Sequence, residues 1–371
     1  MAHPGRIISL ESTLLAALLL SGCSSGPTIH LEPEEVRAYA PLAPQREIRI
    51  LTINAWSGLD YEGILEIGRC PDDPESRYRA LVEGIRSIDP DVIAIQEANP
   101  LPWFARRLAQ DIGYEAVFKV ALGGIRLGPV GIPWNLREGD AILVKRPWTL
   151  VELGSRQLSG LGFTSNGCCF QLGEITQVLL ARVLVNGKPL HVYALHLHAG
   201  PSEGPALDQA LERLRGELPA EAVTEAWERV EGDIARRRSE ILRLKEFLAD
   251  TLPPGMPAVV LGDFNTQPES GELAPLLQEG EWVDSFVLKN PGAQGWTWDP
   301  FSNPNIRERG EALEPYDRLV AYHDARPSRI DLILLRGNIP EDRVVESRVV
   351  LAAANGAAPS DHFGVLTTLR W

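Results

Sequence analysis

From residue 47 to its end the chain repeats one pattern: a short apolar, β-rich run that meets an amide, carboxylate or imidazole side chain. "EIRILTINAW" reaches Asn54, "DPDVIAIQEAN" reaches Glu97, "YALHLHAG" reaches His196, and "VVLGDFNTQP" reaches Asp263 and Asn265. Asp361 and His362 stand together in "APSDHFGV", and Asp331 lies inside a sixth run, "RIDLILL". Side chains at i and i+2 of a strand share a face, so Asp263 and Asn265 can leave the end of 259–261 pointing the same way. Singly, each has an ordinary explanation. Gly, Asp and Asn build turns, a terminal Asn or carboxylate caps the next element, and a strand histidine can be core. Recurrence at six strands points instead to one end of a sheet, where loops assemble sites.

Between these runs, "PESRYRALVEGIRSI" and "PWFARRLAQDI" space apolar residues as helices do. "GEITQVLLARVLVNGKPLHVYALHLHAG" reads as a hairpin around an Asn186-Gly187 turn. Strands interleaved with helices predict an α/β fold of two mixed sheets packed face to face, with helices outside. Residues 203–249 stand apart, with Leu207, Leu211, Leu214 and Leu218, then Val223, Trp227, Val230 and Ile234, at helical spacing. They predict a helical insertion around 203–235 leading into the helix "RRRSEILRLKEFLAD". It is either a lid or membrane-facing surface, or a helical pair packed on the core.

The first residues, "MAHPGRIISLESTLLAALLLSGCSS", carry seven apolar residues at 14–20, too few to span a bilayer but enough for a signal-peptide core. Leu20-Ser21-Gly22-Cys23 resembles the lipobox of bacterial lipoproteins. The resemblance implies removal of residues 1–22 and acylation of Cys23. Residues 23–46, rich in proline, then read as a tether, and 47–371 as the folded domain. The implied location is the cell envelope, anchored to a membrane, with Ser24 favouring the outer one. Cys70, Cys168 and Cys169 remain, enough for one disulfide and a free thiol, and no Cys/His spacing suggests zinc.

Asn at the first strand end, then Q-E, H-L-H, G-D-F-N, R-I-D and S-D-H in this order, resemble the endonuclease/exonuclease/phosphatase superfamily, with its four-layered α/β sandwich. What the resemblance implies is metal-dependent hydrolysis of a phosphoester. Glu97, assisted by Asn54 and with Asp361 alongside, would hold Mg²⁺, or Mn²⁺ or Ca²⁺ in its place, since hard cations take oxygen ligands. His362 would be the general base with Asp331 orienting its ring. Asp263 would hold the attacking water or itself take the proton. Asn265 would donate to a phosphoryl oxygen, and His196 would stabilise the transition state.

Within the superfamily, "GWTWDPFSNPN", "ALHLHAG" and the "RRRSEILRLKEFL" helix resemble segments of bacterial neutral sphingomyelinases, which implies release of phosphocholine and ceramide from sphingomyelin or a related phospholipid. Trp296 and Trp298 would then form an aromatic wall for a choline cation, with His198, on the strand face of His196, as a further contact. Glu240 stands where that family has Gln, and Ala194-Leu195 where it has Asn-Thr. A formal net charge of −14 argues against a stable nucleic-acid partner, whose phosphates need Lys and Arg. It leaves a phosphate substrate open, because a bound divalent cation reverses the field locally. An extracytoplasmic nuclease or an inositol-phosphate phosphatase is the alternative enzyme, and a non-catalytic surface-binding protein on the same fold is the alternative from another class.

Overall fold

Four of the polar strand ends emerge together because the strands that carry them form two parallel pairs. In a computed structural model describing residues 47–371 apart from 61–64, 70–72, 172, 279, 307–313, 337–338 and 353–357, Glu47–Asn54 runs parallel to Val92–Ala98, with Asn54 beside Gln96. Lys188–His196 runs parallel to Ala258–Asp263, with His196 beside Asp263. Parallel neighbours need a crossover, and helices Pro74–Ile88 and Ala220–Thr251 lie on the two crossovers. The strands antiparallel to these pairs contribute their first residues to the same end. Asp331 opens Asp331–Arg336 opposite Asp263, and Asp361-His362 precede Gly364–Arg370, which pairs with Glu47–Asn54.

Each parallel pair is the centre of a six-stranded mixed sheet. The first runs Val344–Val350, Gly364–Arg370, Glu47–Asn54, Val92–Ala98, Glu138–Lys145, Tyr114–Leu122. The second runs Trp282–Asp284, Asp331–Arg336, Ala258–Asp263, Lys188–His196, Thr176–Val185, Thr149–Ser159. Alternation along the strands divides their apolar residues between two faces. Ile48, Ile50, Val92 and Ala94 meet Val192, Ala194, Val259 and Leu261 between the sheets. Leu51, Ile53, Ile93 and Ile95 face Leu81, Ile85 and Leu108 of the helices Pro74–Ile88 and Trp103–Ile112. Tyr193, Leu195 and Val260 face Ile241, Leu244 and Phe247 of the long helix. The result is the expected helix–sheet–sheet–helix layering.

The hairpin at Asn186-Gly187 forms as predicted: Val185 pairs with Lys188, and both turn residues take positive φ (51° and 78°). The insertion differs from expectation in one respect. Helix Pro205–Glu217 is separate, but the second insertion helix and the "RRRSEILRLKEFLAD" helix are one element, Ala220–Thr251, of 32 residues. Gly232 interrupts the pattern without ending the helix; a single interior glycine costs only about 1 kcal/mol. Leu207, Leu211, Leu214, Val223 and Val230 form a small core of their own with Leu319 of helix Pro315–Asp324. The insertion is therefore a packed helical pair. Cys169 lies buried in the core; Cys23, the residues before 47 and Cys70 lie outside the described residues.

Candidate active site

The end of the sandwich where the polar residues converge holds a cavity of about 630 Å³. Glu97, His196, Asp263, Asn265, Trp298, Asp361 and His362 all line it. Local backbone geometry aims several of them. The pairing of Val92–Ala98 with Glu138–Lys145 slips between Ile95 and Ala98, a bulge that falls at Gln96 and Glu97, and Glu97 itself takes φ 53°. Bulges and left-handed non-glycine residues concentrate where a side chain must be re-aimed. In "GDFN", Gly262 is required by close approach, because a Cβ there would stand 1.9 Å from the Leu195 carbonyl oxygen. Phe264 then enters the core while Asp263 and Asn265 face the cavity, Asn265 at φ 50°.

Asn54 is buried and links the two halves of the site. Its Nδ2 donates to Glu97 Oε1 at 2.9 Å and to Asp263 Oδ2 at 3.0 Å. The Ser57 amide donates to the other Glu97 oxygen at 3.1 Å, and the Asn265 amide donates to Asp263 Oδ1 at 2.9 Å. Asn265 also donates one side-chain hydrogen to the Leu197 carbonyl, leaving the second of its two. His362 Nδ1 lies 2.9 Å from Asp331 Oδ2, so its Nε2 turns toward Asp263 Oδ2 at 3.8 Å, beyond direct hydrogen bonding. His196 Nε2 approaches the same oxygen at 3.5 Å.

The electrostatics follow from crowding buried carboxylates. Burial pushes Asp361 up to about 7, the Glu97 charge adding to it against His362. Burial does the same to Asp140, also to about 7, with Asp263 and Glu97 adding and His196 opposing. Burial disfavours charge on His196, yet Asp263, Glu97 and Asp140 hold its pKa up at about 9. His362 is likewise held well above the ordinary imidazole range, against its burial, by Asp331 and Asp263. Asp140 Oδ1 and Asp331 Oδ1 are buried without a hydrogen-bond partner. Such a cluster fits a divalent cation, which would relieve the repulsion through hard oxygen ligands. Among the described residues the compact donor set is the trio Asp263, Asp331 and His362, whose donor atoms lie within 4.8 Å of one another. Glu97 and Asp361 also line the cavity and offer carboxylates, while Asn54, expected to assist there, lies behind them, its Nδ2 on Glu97 and Asp263 and its Oδ1 taken by the Trp56 amide.

The "GWTWDPFSNPN" segment is chiefly a brace. Thr297 Oγ1 accepts from the Ile330 and Asp331 amides at 3.1 Å, and Asn303 donates to the Ser360 carbonyl at 3.1 Å. Trp298 packs edge-on against His362, centroids 5.3 Å apart, with its indole N–H given to the Asp324 carbonyl. Trp296, expected beside it on one wall, is 40% exposed and does not line the cavity, because this segment makes a single β-bridge rather than a strand with regular alternation. His198, expected as a substrate contact, has Nδ1 on Glu174 and Nε2 on Asp233 at 2.9 Å; despite burial these carboxylates raise it to about 9. It holds structure. Arg237 and Glu240, both fully buried, clamp the same loop, Arg237 donating to the carbonyls of His198, Gly200 and Pro201 and Glu240 accepting from the His198 amide.

Sequence reasoning did not single out Asp140, Glu138, Glu174 or His323, which also line the cavity. The signal was present for two of them. "EGDAILVK" begins with carboxylates, as the Asp331 strand does, and strands antiparallel to the central pairs bring their first residues to this end.

The sequence matches the Endonuclease/Exonuclease/phosphatase family over residues 51–362. No curated protein sequence matches it. Among solved structures, D. rerio TDP2 humanised by 14 mutations is similar with TM-score 0.55 at 15% identity, over 88% of this chain and 100% of that one. A family protein from Bacteroides thetaiotaomicron gives TM-score 0.53 at 16% identity, over 89% and 98%. One from Leptotrichia buccalis gives 0.52 at 16%, over 87% and 100%. At these identities the likeness is one of fold. The family match, spanning nearly the whole described domain, carries the assignment: the chain belongs to the endonuclease/exonuclease/phosphatase family of metal-dependent phosphoester hydrolases.

Proposed function

We propose that the chain hydrolyses a phosphodiester bearing a cationic headgroup, and specifically a phosphocholine lipid such as sphingomyelin, to phosphocholine and the lipid alcohol. The observation that supports this is the charge of the cavity. Seven carboxylates, Glu97, Glu138, Asp140, Glu174, Asp263, Asp324 and Asp361, line it against three histidines, His196, His323 and His362, and its described lining includes no Lys or Arg. A polyanion such as DNA, or an inositol carrying several phosphates, meets repulsion there that one metal ion offsets only at a single phosphate. A phosphate joined to a quaternary ammonium carries one charge that a bound cation would neutralise and an opposite one that the remaining carboxylates would favour, and the Trp298 ring also lines the cavity.

In this reading Glu97, held in place by Asn54, and Asp361 would hold Mg²⁺, which would supply Lewis-acid neutralisation of a non-bridging oxygen. The His362–Asp331 hydrogen bond keeps a proton on Nδ1, so in the neutral ring it is Nε2 that is free, turned toward Asp263 and the cavity to take the proton of water. Asp263 orients that water. His196, held cationic, and the second side-chain hydrogen of Asn265 donate to the phosphoryl oxygens as charge develops.

The test compares three substrates with the chain from Ser24 onward, in Mg²⁺: phosphocholine release from sphingomyelin vesicles, nicking of supercoiled plasmid, and phosphate release from inositol phosphates. Phosphocholine release well above the other two is the expected result. Efficient nicking or phosphate release without phosphocholine would refute the lipid assignment while keeping the hydrolase.

A further inference from the structure

A small four-stranded antiparallel sheet stands on the rim of the cavity, in the order Gly162–Thr164, Cys168–Gln171, Ile125–Leu127, Val130–Ile132. Its register lines up Phe163, Phe170, Ile125 and Ile132 as one cross-strand row, with Leu127 opposite Val130 alongside. This face is apolar and turned to solvent: Ile125, Leu127, Val130 and Ile132 are 48–76% exposed. The alternate residues lie beneath and fasten the sheet. Arg126 is buried and donates to the carbonyls of Pro129, Pro133, Trp134 and Leu136. Gln171 accepts from the amides of Gly123 and Gly124. A chain that spends a buried arginine on holding such a sheet in place, with a contiguous apolar face outward, presents a surface for something.

We propose that this face docks on a zwitterionic lipid bilayer and sets the mouth of the cavity against it. Three observations favour that occupant. Gly124 and Gln171, at the base of the face, also line the cavity, so whatever covers the face sits beside the mouth. Trp134, the residue type that favours membrane–water interfaces, adjoins it at 59% exposed. The sequence supplies a lipidation motif at Cys23, and the 24 residues 23–46 reach up to about 80 Å before Glu47. Glu47 begins the strand whose far end, Asn54, touches the cavity residues Glu97 and Asp263, about 23 Å away at the rise of a strand. The tether is thus long enough to let an anchored domain present this end to its own membrane. With the chain at −14, the attraction is apolar insertion and not charge on an anionic surface. The docking serves the lipid-substrate reading above, but it is measured as binding and so stands or falls separately.

The experiment uses the chain from Ser24 onward, which lacks the acylated cysteine and keeps every residue of the described fold. Co-sedimentation with phosphatidylcholine vesicles is compared between this protein and its Leu127→Glu/Val130→Glu variant, with hydrolysis of soluble bis(4-nitrophenyl) phosphate measured on both. The expected result is vesicle binding that falls at least about tenfold in the variant, with hydrolysis of the soluble ester unchanged. Equal binding by the two proteins, or none by the unsubstituted one, would overturn the proposal. So would a dimer of the unsubstituted protein that the substitutions dissociate, which would assign the face to a second copy. Binding that depends on the face in a protein without phosphodiesterase activity would support the docking surface and refute the function proposed above.

Discussion

His362→Ala lowers the turnover of any phosphodiester by about 10²–10⁴-fold, the usual contribution of a positioned general base. The His362 ring has its Nδ1 held by the buried Asp331 carboxylate while Nε2 stays turned inward toward Asp263. Removing it leaves the cation site and the other donors in place, so substrate affinity changes far less than turnover. Asp331→Asn has a signature of its own. The Asp331 charge helps hold His362 above its ordinary pKa, against its burial. A base must be neutral to act, so activity falls as pH drops through the His362 pKa. Removing the Asp331 charge lowers that pKa and moves the acid limb of the pH–rate profile to lower pH, at a reduced plateau. A profile that keeps its acid limb in Asp331→Asn would contradict the His–Asp pairing as the source of the base.

Glu97→Gln raises the Mg²⁺ concentration needed for half-maximal activity by at least about 10–100-fold, the scale on which even supporting residues affect metal affinity. The substitution keeps volume but removes a charge that repels Asp361, and it places a donor where Asn54 and the Ser57 amide already donate. Loss of that charge also relieves the repulsion felt by Asp361 and Asp140. The account predicts that Mg²⁺ raises the thermal midpoint of the parent and leaves that of the variant unchanged. Calorimetric titration with Mg²⁺ and a melting curve with and without the ion check both. An unchanged Mg²⁺ requirement would move the cation to the Asp263, Asp331 and His362 trio.

Much of this site was legible in the sequence because its residues sit where short apolar strands begin or end, and such ends are visible as a change of composition. Glu97, His196, Asp263 and His362 all reach one cavity for that reason, and Asn54 braces two of them from behind. The fold's layering was legible for the same cause, since alternation within each strand commits residues to one of two cores. Three-dimensional bracing was not. Trp296 and Trp298 read as a pair by spacing, but pairing with Ser328 at one bridge sends only Trp298 to the cavity. His198 reads like a partner of His196, yet Glu174 and Asp233, distant in sequence, claim both its nitrogens. Asp140 was missed because strand starts look like loop residues until the antiparallel register is known.

The most direct measurement is hydrolysis of bis(4-nitrophenyl) phosphate by the chain from Ser24 onward, with Mg²⁺, after chelation and after Mg²⁺ is restored, with His362→Ala alongside. The account predicts turnover that chelation abolishes, that Mg²⁺ restores, and that the variant lacks. No turnover with Mg²⁺, Mn²⁺ or Ca²⁺, or turnover that survives both the chelator and the loss of His362, would contradict a metal-dependent phosphodiesterase centred on this cavity.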